Sequence, residues 1–406
     1  MILNIILAIV VLDFLFEQFL EYLNFKSQKK EIPEEVSSFY DRDKFFKSLE
    51  YQKANNRFGF LTSSISFLGS FSMLYFGGFG ILDNWLRPLF TSEIQLGLAY
   101  FFVLFVASDI LTLPFQWYKT FVIEARFDFN NTTYKTFITD KLKGYILVII
   151  IGGLLGFLLF WLILTIGASF WLYFLLVSVV FILFIQLFYS SLILPLFNKL
   201  SPLEEGELKD AITKYSSSAG FSLSNIYVID GSKRSKKSNA FFMGLGKKKK
   251  IVLYDTLIEN HSIEELVAIL AHEMGHYKKK HILSGMFFSI LQIAFTLYIL
   301  SLMVYNEQLS ISLGAGQLAI HLNLIAFSIL YSPVSKITGI LMNIWSRKNE
   351  FEADHFAGQT YDKVALSTAL KKLSVDNLSN LYPHKAYVFV NYSHPPLLER
   401  LKELNK

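Results

Sequence analysis

His272, Glu273 and His276 stand in residues 271–277, A-H-E-M-G-H-Y, within a stretch whose apolar spacing predicts a helix. Two histidines four residues apart lie about 40° from one another around a helix and roughly one turn apart along it, so both imidazoles can reach one ion. That donor geometry suits zinc. A glutamate directly after the first histidine falls beside the ion's open position, where it can take a proton from a water and pass it to a leaving amine. A catalytic zinc with two histidines needs a third protein ligand and keeps one position open. No other histidine stands at an obvious spacing, and the best carboxylates are Glu350, Glu352 and Asp354 in S-R-K-N-E-F-E-A-D. If residues 345–358 are helical, Glu350 and Asp354 share a face while Glu352 points nearly the opposite way. One of the first two is then the ligand. The other accepts the second ring N–H of a zinc histidine and fixes its tautomer.

The elements that must position these groups are legible in outline. Ser262 with Glu265 three residues later is a capping-box signature, so the histidine helix is expected to begin there and run to about His281. Lys278, Lys279 and Lys280 near its end complement the helix dipole. Upstream, Pro202 followed by Glu204, Glu205 and Glu207 marks a helix reaching about Tyr215, and residues 225–229 and 251–254 read as short strands. Between the strands lie S-N-A-F-F-M-G-L at 238–245 and four consecutive lysines at 247–250, which read as a solvated turn.

The chain of 406 residues is 53% hydrophobic and only 17% charged, with a mean hydropathy of +0.40. That is too apolar for a soluble protein of two or three domains, and it predicts an integral membrane protein. There are no cysteines, which removes disulfides, thiolate ligands and cysteine nucleophiles from consideration. Apolar runs at about 2–23, 58–82, 95–117, 145–166, 168–196, 283–305 and 317–341 are each near the roughly 20 residues that cross a hydrocarbon core. The first carries Asp13 and Glu17 with no basic leader, so it reads as a span and not a cleaved signal. Thirty-six of the 38 basic residues fall in 24–57, 118–144, 197–282 and 342–406. By the positive-inside rule those segments are cytosolic, the C-terminus with them, and the N-terminus lies outside or in a lumen. Residues 41–57 are expected as a helix on the membrane surface, and Asp109 is a costly carboxylate inside the third run. Four segments result: residues 1–196 hold spans one to five, 197–282 the motif helix, 283–341 spans six and seven, and 342–406 the carboxylates that complete the site. The net charge of +5 is explained by topology, so nucleic-acid binding has no support.

The motifs together resemble a known family. H-E-M-G-H, then E-F-E-A-D beginning 74 residues after the second histidine, with S-N-A-F-F-M-G before and S-H-P-P-L-L-E-R after, are similar to the Ste24-type CAAX prenyl proteases of peptidase family M48. The likeness also includes F-E-Q in the first run, F-V-I-E at 121–124 and L-P-L-F-N-K-L-S-P-L-E-E-G after the fifth. The resemblance implies a mainly α, polytopic membrane protein: seven transmembrane helices around a water-filled intramembrane chamber, with a cytosolic, gluzincin-like zinc metallopeptidase domain carrying a small β element. It implies one Zn2+ per chain held by His272, His276 and Glu350, Glu273 as general base, and Asp354 as the aspartate behind a ligand. His394 and Arg400 would steady the substrate carbonyl as it becomes an oxyanion. Asn239, Ala240 and Phe241 would lie on an edge strand that binds extended substrate by main-chain hydrogen bonds. Water in the chamber would account for Asp13, Asp109 and His321 inside spans. The partners implied are a peptide or protein substrate with a CAAX-like, prenylated tail and the lipid bilayer. Two positions depart from the family pattern: Glu352, where a neutral residue is usual, and Lys237, where a histidine is usual. The alternatives are a quality-control zinc protease of the heat-shock type with the same site, or a transporter or receptor with structural zinc. The last is disfavoured because structural zinc sites close with four protein ligands.

Overall fold

A computed structural model describes residues 1–220, 226–243 and 250–406. In chain order the helices are α1 (Ile2–Lys26), α2 (Arg42–Tyr75), α3 (Gly78–Leu86), α4 (Glu93–Tyr118), α5 (Tyr134–Leu147), α6 (Gly153–Ile166), α7 (Phe170–Phe188) and α8 (Leu194–Phe197). Strand β1 (Leu200–Pro202), α9 (Glu207–Ser218), β2 (Ile226–Ile229), β3 (Ala240–Met243) and β4 (Lys250–Tyr254) follow. The chain ends with α10 (Asp255–Asn260), α11 (Ile263–Lys278), α12 (His281–Met303), α13 (Glu307–Ser312), α14 (Ile320–Thr360), α15 (Lys363–Asp376), α16 (Lys385–Asn391) and α17 (Leu397–Leu404).

Among the described residues, six helical stretches are long and apolar enough to cross a membrane: Ile2–Lys26, Arg42–Tyr75, Glu93–Glu124, Tyr134–Phe197, His281–Met303 and Ile320–Thr360. Without water, only a helix or a closed barrel satisfies every backbone polar group, which is why uninterrupted apolar sequence becomes helix here. Large side chains such as Phe60, Ile110, Leu111 and Leu176 are left more than 60% exposed on these helices, as a lipid-facing surface requires. The stretch Tyr134–Phe197 is 64 residues long, about 96 Å at helical rise and roughly three times the hydrocarbon thickness. It turns at Gly167, whose φ of +71° suits glycine. Across that turn α6 and α7 pack on one another, with Phe160, Ile163 and Phe170 buried in one cluster. The fourth and fifth apolar runs lie on either side of it.

Several expectations are corrected. Residues 41–57 do not form a separate surface helix: Asp41 accepts a hydrogen bond from the Lys44 N–H and caps α2, which runs on without a break into the second apolar run. That run ends as helix at Tyr75, before Gly77 in the left-handed region, and continues as α3. The expected loop at 118–144 is largely helical, because α4 extends as a π-helix to Glu124 and α5 begins at Tyr134. Pro202 ends a strand rather than starting a helix, and α9 begins at Glu207. Residues 345–358 are helical, as the end of α14. Asn225, Leu245 and Lys247–Lys249 lie outside the described residues.

Asp13, Glu17, Asp109 and Lys336, charged residues within the apolar runs, are paired. Lys336 lies between Asp13 and Glu17, and Asp109 meets Lys141 at 2.6 Å and accepts from Tyr145. His321 is fully enclosed, with Asp83 at 2.8 Å and Arg87 2.9 Å from Asp83. Compensation by charge, not exposure to water, is therefore what permits His321.

Among the described residues four strands form one sheet in the order β1-β2-β4-β3, with β2 and β4 parallel and the outer pairs antiparallel. The sheet covers α11. Leu266, Val267, Ala268, Leu270, Ala271 and Met274 of that helix are buried against Ile251 and Leu253 of β4, Ile212 of α9, Ala357 of α14 and Leu366 and Ala369 of α15. Every residue of this helix from Glu265 to His272 is buried, as in a core helix, and it carries the histidines.

Candidate metal centre

The start of α11 is fastened as expected. The Ser262 hydroxyl accepts from the Glu265 N–H, the Glu265 carboxylate accepts from the Ser262 N–H, and Lys372 of α15 meets Glu265 at 2.7 Å. Its end differs from the expectation: the helix stops at Lys278, and Lys280 takes a φ of +60°, so His281 begins α12. Between these ends α11 crosses α14. Gly275 marks the closest approach, since a methyl group there would lie 3.0 Å from the Ala353 Cα. The glycine of H-E-M-G-H thus lets the carboxylate helix come up to the histidines.

At that crossing His272, His276 and Glu350 each offer a donor atom, all within 4.8 Å of one another. The two histidine Nε2 atoms are 3.2 Å apart, His276 Nε2 is 3.2 Å from Glu350 Oε1, and His272 Nε2 is 3.5 Å from Glu350 Oε2. Ligands about 2.0–2.1 Å from a tetrahedral ion are separated by about 3.3 Å, so the spacing fits a tetrahedral cation. Glu350 Oε2 is buried and accepts no hydrogen bond from the chain, a costly state that a metal ion relieves.

Asp354 stands one turn beyond Glu350, with Oδ1 2.8 Å from His272 Nδ1. This orients the ring so that Nε2 faces the cluster. Arg400 of α17 grips Asp354 from behind, Nε to Oδ2 at 2.8 Å and Nη2 to Oδ1 at 2.5 Å. Its Nη1, 3.7 Å from Glu350, is the nitrogen that faces the site. Burial opposes a charge on the His272 ring, but Asp354 and Glu350 outweigh it and push the ring up to about 9. The buried carboxylates of Glu350 and Asp354 make the cluster electronegative, a setting that favours a cation.

Glu273 is half-buried and forms no hydrogen bond or ion pair with any described residue. Burial raises its carboxyl above the usual range, against the opposing pull of the His272 and His276 rings. A free carboxylate with a raised proton affinity is what a general base near neutral pH needs. His394, 67% exposed, places Nε2 3.4 Å from Glu350 Oε1, and its Nδ1 lies 3.0 Å from the Ser393 hydroxyl. Asn239 is exposed immediately before β3, and Ala240 and Phe241 begin that strand at the edge of the sheet. Phe242 packs on Tyr277 with ring centroids 5.6 Å apart, so β3 lies alongside the histidine helix.

Two residues at the site escape sequence reasoning. His281 Nδ1 is 3.1 Å from His276 Nδ1, and His281 Nε2 is 3.3 Å from Glu352. On a continued helix His281 would stand about 140° around from His276; the break at Lys280 brings it back. Glu352, on the other side of the helix from Glu350 and Asp354, reaches His281 while its side chain stays partly exposed. The only signal was the departure from family pattern at position 352.

Residues 21–199 match the family model described as CAAX prenyl protease N-terminal, five membrane helices, and residues 202–406 match the model of peptidase family M48. The chain belongs to the CAAX prenyl protease family, M48. The CAAX prenyl protease 1 homolog of Dictyostelium discoideum is 35% identical to this M48 chain, with 97% of the chain and 95% of that protein covered. CAAX prenyl protease 1 of Saccharomyces cerevisiae is 33% identical over 97% of the chain and 93% of its own length. The crystal structure of S. mikatae Ste24p superposes with a TM-score of 0.94 at 30% identity, covering 100% of this chain and 99% of that one. This M48 member is accordingly a multi-pass membrane metalloprotease, with a buried His-His-Glu cluster suited to a catalytic metal.

Proposed function

We propose that one zinc ion is held by His272, His276 and Glu350, and that the protein cleaves peptide bonds near the C-terminus of prenylated, CAAX-like peptides. The unsatisfied Glu350 Oε2 amid donors at tetrahedral spacing carries this reading. Zinc, when bound, would polarise the scissile carbonyl and bring a water's pKa near neutrality. Glu273 takes the proton of the attacking water and delivers it to the leaving amine. His394 Nε2 and Arg400 Nη1 are the donors nearest to where negative charge develops on the carbonyl oxygen, while the rest of the Arg400 fork holds Asp354. Asn239, Ala240 and Phe241 offer the open edge of β3 to an extended substrate backbone.

The same reading includes seven membrane crossings, with the turn at Gly167 separating the fourth from the fifth, and a protease site on the cytosolic side. A cavity of about 620 Å³ between the helices, lined by Asp13, Glu17, Gln18, Ser63, Ser66 and Ser332 among others, supports an intramembrane chamber. In the metal-loaded protein His281 accepts from His276 Nδ1–H and donates from Nε2 to Glu352, which fixes the His276 tautomer. His281→Ala is expected to weaken zinc binding about 10–100-fold, as read by chelator competition.

The deciding experiment presents the full chain in detergent with matched farnesylated and unprenylated C-terminal peptides, before and after chelation. Preferential cutting of the farnesylated peptide, lost on chelation and restored by zinc, is expected. Equal cutting of both peptides overturns the prenyl part of the reading, and cutting that survives chelation overturns the zinc.

A further inference from the structure

A second site lies away from the metal. A cavity of about 650 Å³ opens between α2 and the α4–Glu124 segment, and its mouth is lined by Lys53, Arg57, Arg126 and Glu50. Lys53 and Arg57, four residues apart on one face of α2, are exposed and make no hydrogen bond or ion pair with a described residue. Glu50 is engaged by Arg126 at 3.5 Å, with both side chains 65% exposed, so the mouth keeps two uncompensated positive charges. Its inner wall is apolar, built by Phe58, Leu61, Phe115 and Val122.

The polar and apolar halves meet where the chain enters the membrane. Lys53 and Arg57 immediately precede the second apolar run, and Trp117 and Tyr118, 41% and 46% exposed, stand at the end of α4 where an aromatic belt is expected. A cationic mouth at head-group depth above an apolar wall at acyl-chain depth is complementary to one class of molecule. Basic pockets between membrane helices on the positive side bind anionic head groups. We propose that this cavity is a binding site for an anionic glycerophospholipid, its phosphate held by Lys53 and Arg57 and an acyl chain lying along Phe58, Leu61 and Phe115. A free phosphate could meet the cations but leaves the wall unused, and a neutral lipid fills the wall but leaves the cations unused.

Native mass spectrometry of the full chain titrated with phosphatidylglycerol and with phosphatidylcholine tests this. Phosphatidylglycerol is expected to bind at least about tenfold tighter. The double variant Lys53→Gln/Arg57→Gln should lose roughly 30-fold, from two charges each worth about fivefold. Removing two exposed lysines elsewhere, Lys214→Gln with Lys402→Gln, should change nothing. Leu61→Trp, which fills the wall and keeps both charges, should also abolish tight binding and stands independently if the double variant does not fold. Equal affinity for the two lipids, undiminished binding by the double variant, or competition by glycerol phosphate as strong as by the lipid overturns the proposal.

Discussion

Replacing Glu273 by glutamine is expected to lower peptide cleavage by about 10²–10⁴-fold, the usual contribution of a positioned general base, while zinc content stays at one per chain. Glutamine keeps the size and hydrogen-bonding capacity of the side chain but cannot take a proton. The metal should remain because Glu273 has no ion pair or hydrogen bond among the described residues, and the cluster found among them is made by His272, His276 and Glu350. Stability should rise slightly if it changes at all, since burial already disfavours the charged form. Steady-state cleavage of a C-terminal peptide together with metal analysis of the same sample checks both halves. A variant that keeps its metal and cleaves at the unmodified rate would remove Glu273 from the mechanism.

Substitutions at Glu350 and Asp354 should separate a ligand from the residue that orients one, although both are buried carboxylates one turn apart on α14. Glu350→Ala removes a donor from the cluster, and zinc should be lost on dialysis, with cleavage undetectable. Asp354→Asn leaves all three donors in place but weakens the hold on His272 Nδ1 and releases Arg400 from its two-point contact. Loss of such an outer partner costs about 10–100-fold in metal affinity or activity, so this variant should recover cleavage when zinc is supplied in excess. Titration of each variant with zinc, followed by cleavage rate, distinguishes them. If Asp354→Asn cannot be rescued and Glu350→Ala can, the two assignments are exchanged.

Much of the candidate metal centre was legible before any fold was known, because H-E-M-G-H places its groups through helical periodicity alone. Two imidazoles one turn apart and a carboxylate beside them follow from local geometry. The capping box at Ser262 and the helical face shared by Glu350 and Asp354 are likewise local, and both are found in the structure. Membrane insertion was legible for a similar reason: it depends on the length and polarity of contiguous segments, which need no partner to be recognised.

Helix boundaries were less legible because apolar runs mark where lipid lies, not where helix stops. Thus α2 begins well before its apolar run, α14 continues far beyond its own, and α11 ends earlier than its pattern suggests. Whatever depends on two distant segments meeting was decided by tertiary structure. The pairing of Lys336 with Asp13 and Glu17, the enclosure of His321 beside Asp83, and the strand order β1-β2-β4-β3 all join distant parts of the chain. So does the contact of His281 with Glu352, residues that periodicity had turned away from the site. Sequence by itself determined the histidine pair with its neighbouring glutamate and the membrane-spanning character, since each is written in short-range spacing. Only the tertiary structure decided which carboxylate faces the imidazoles and what stands behind each of them, because the packing of α11 on α14 at Gly275 sets those distances.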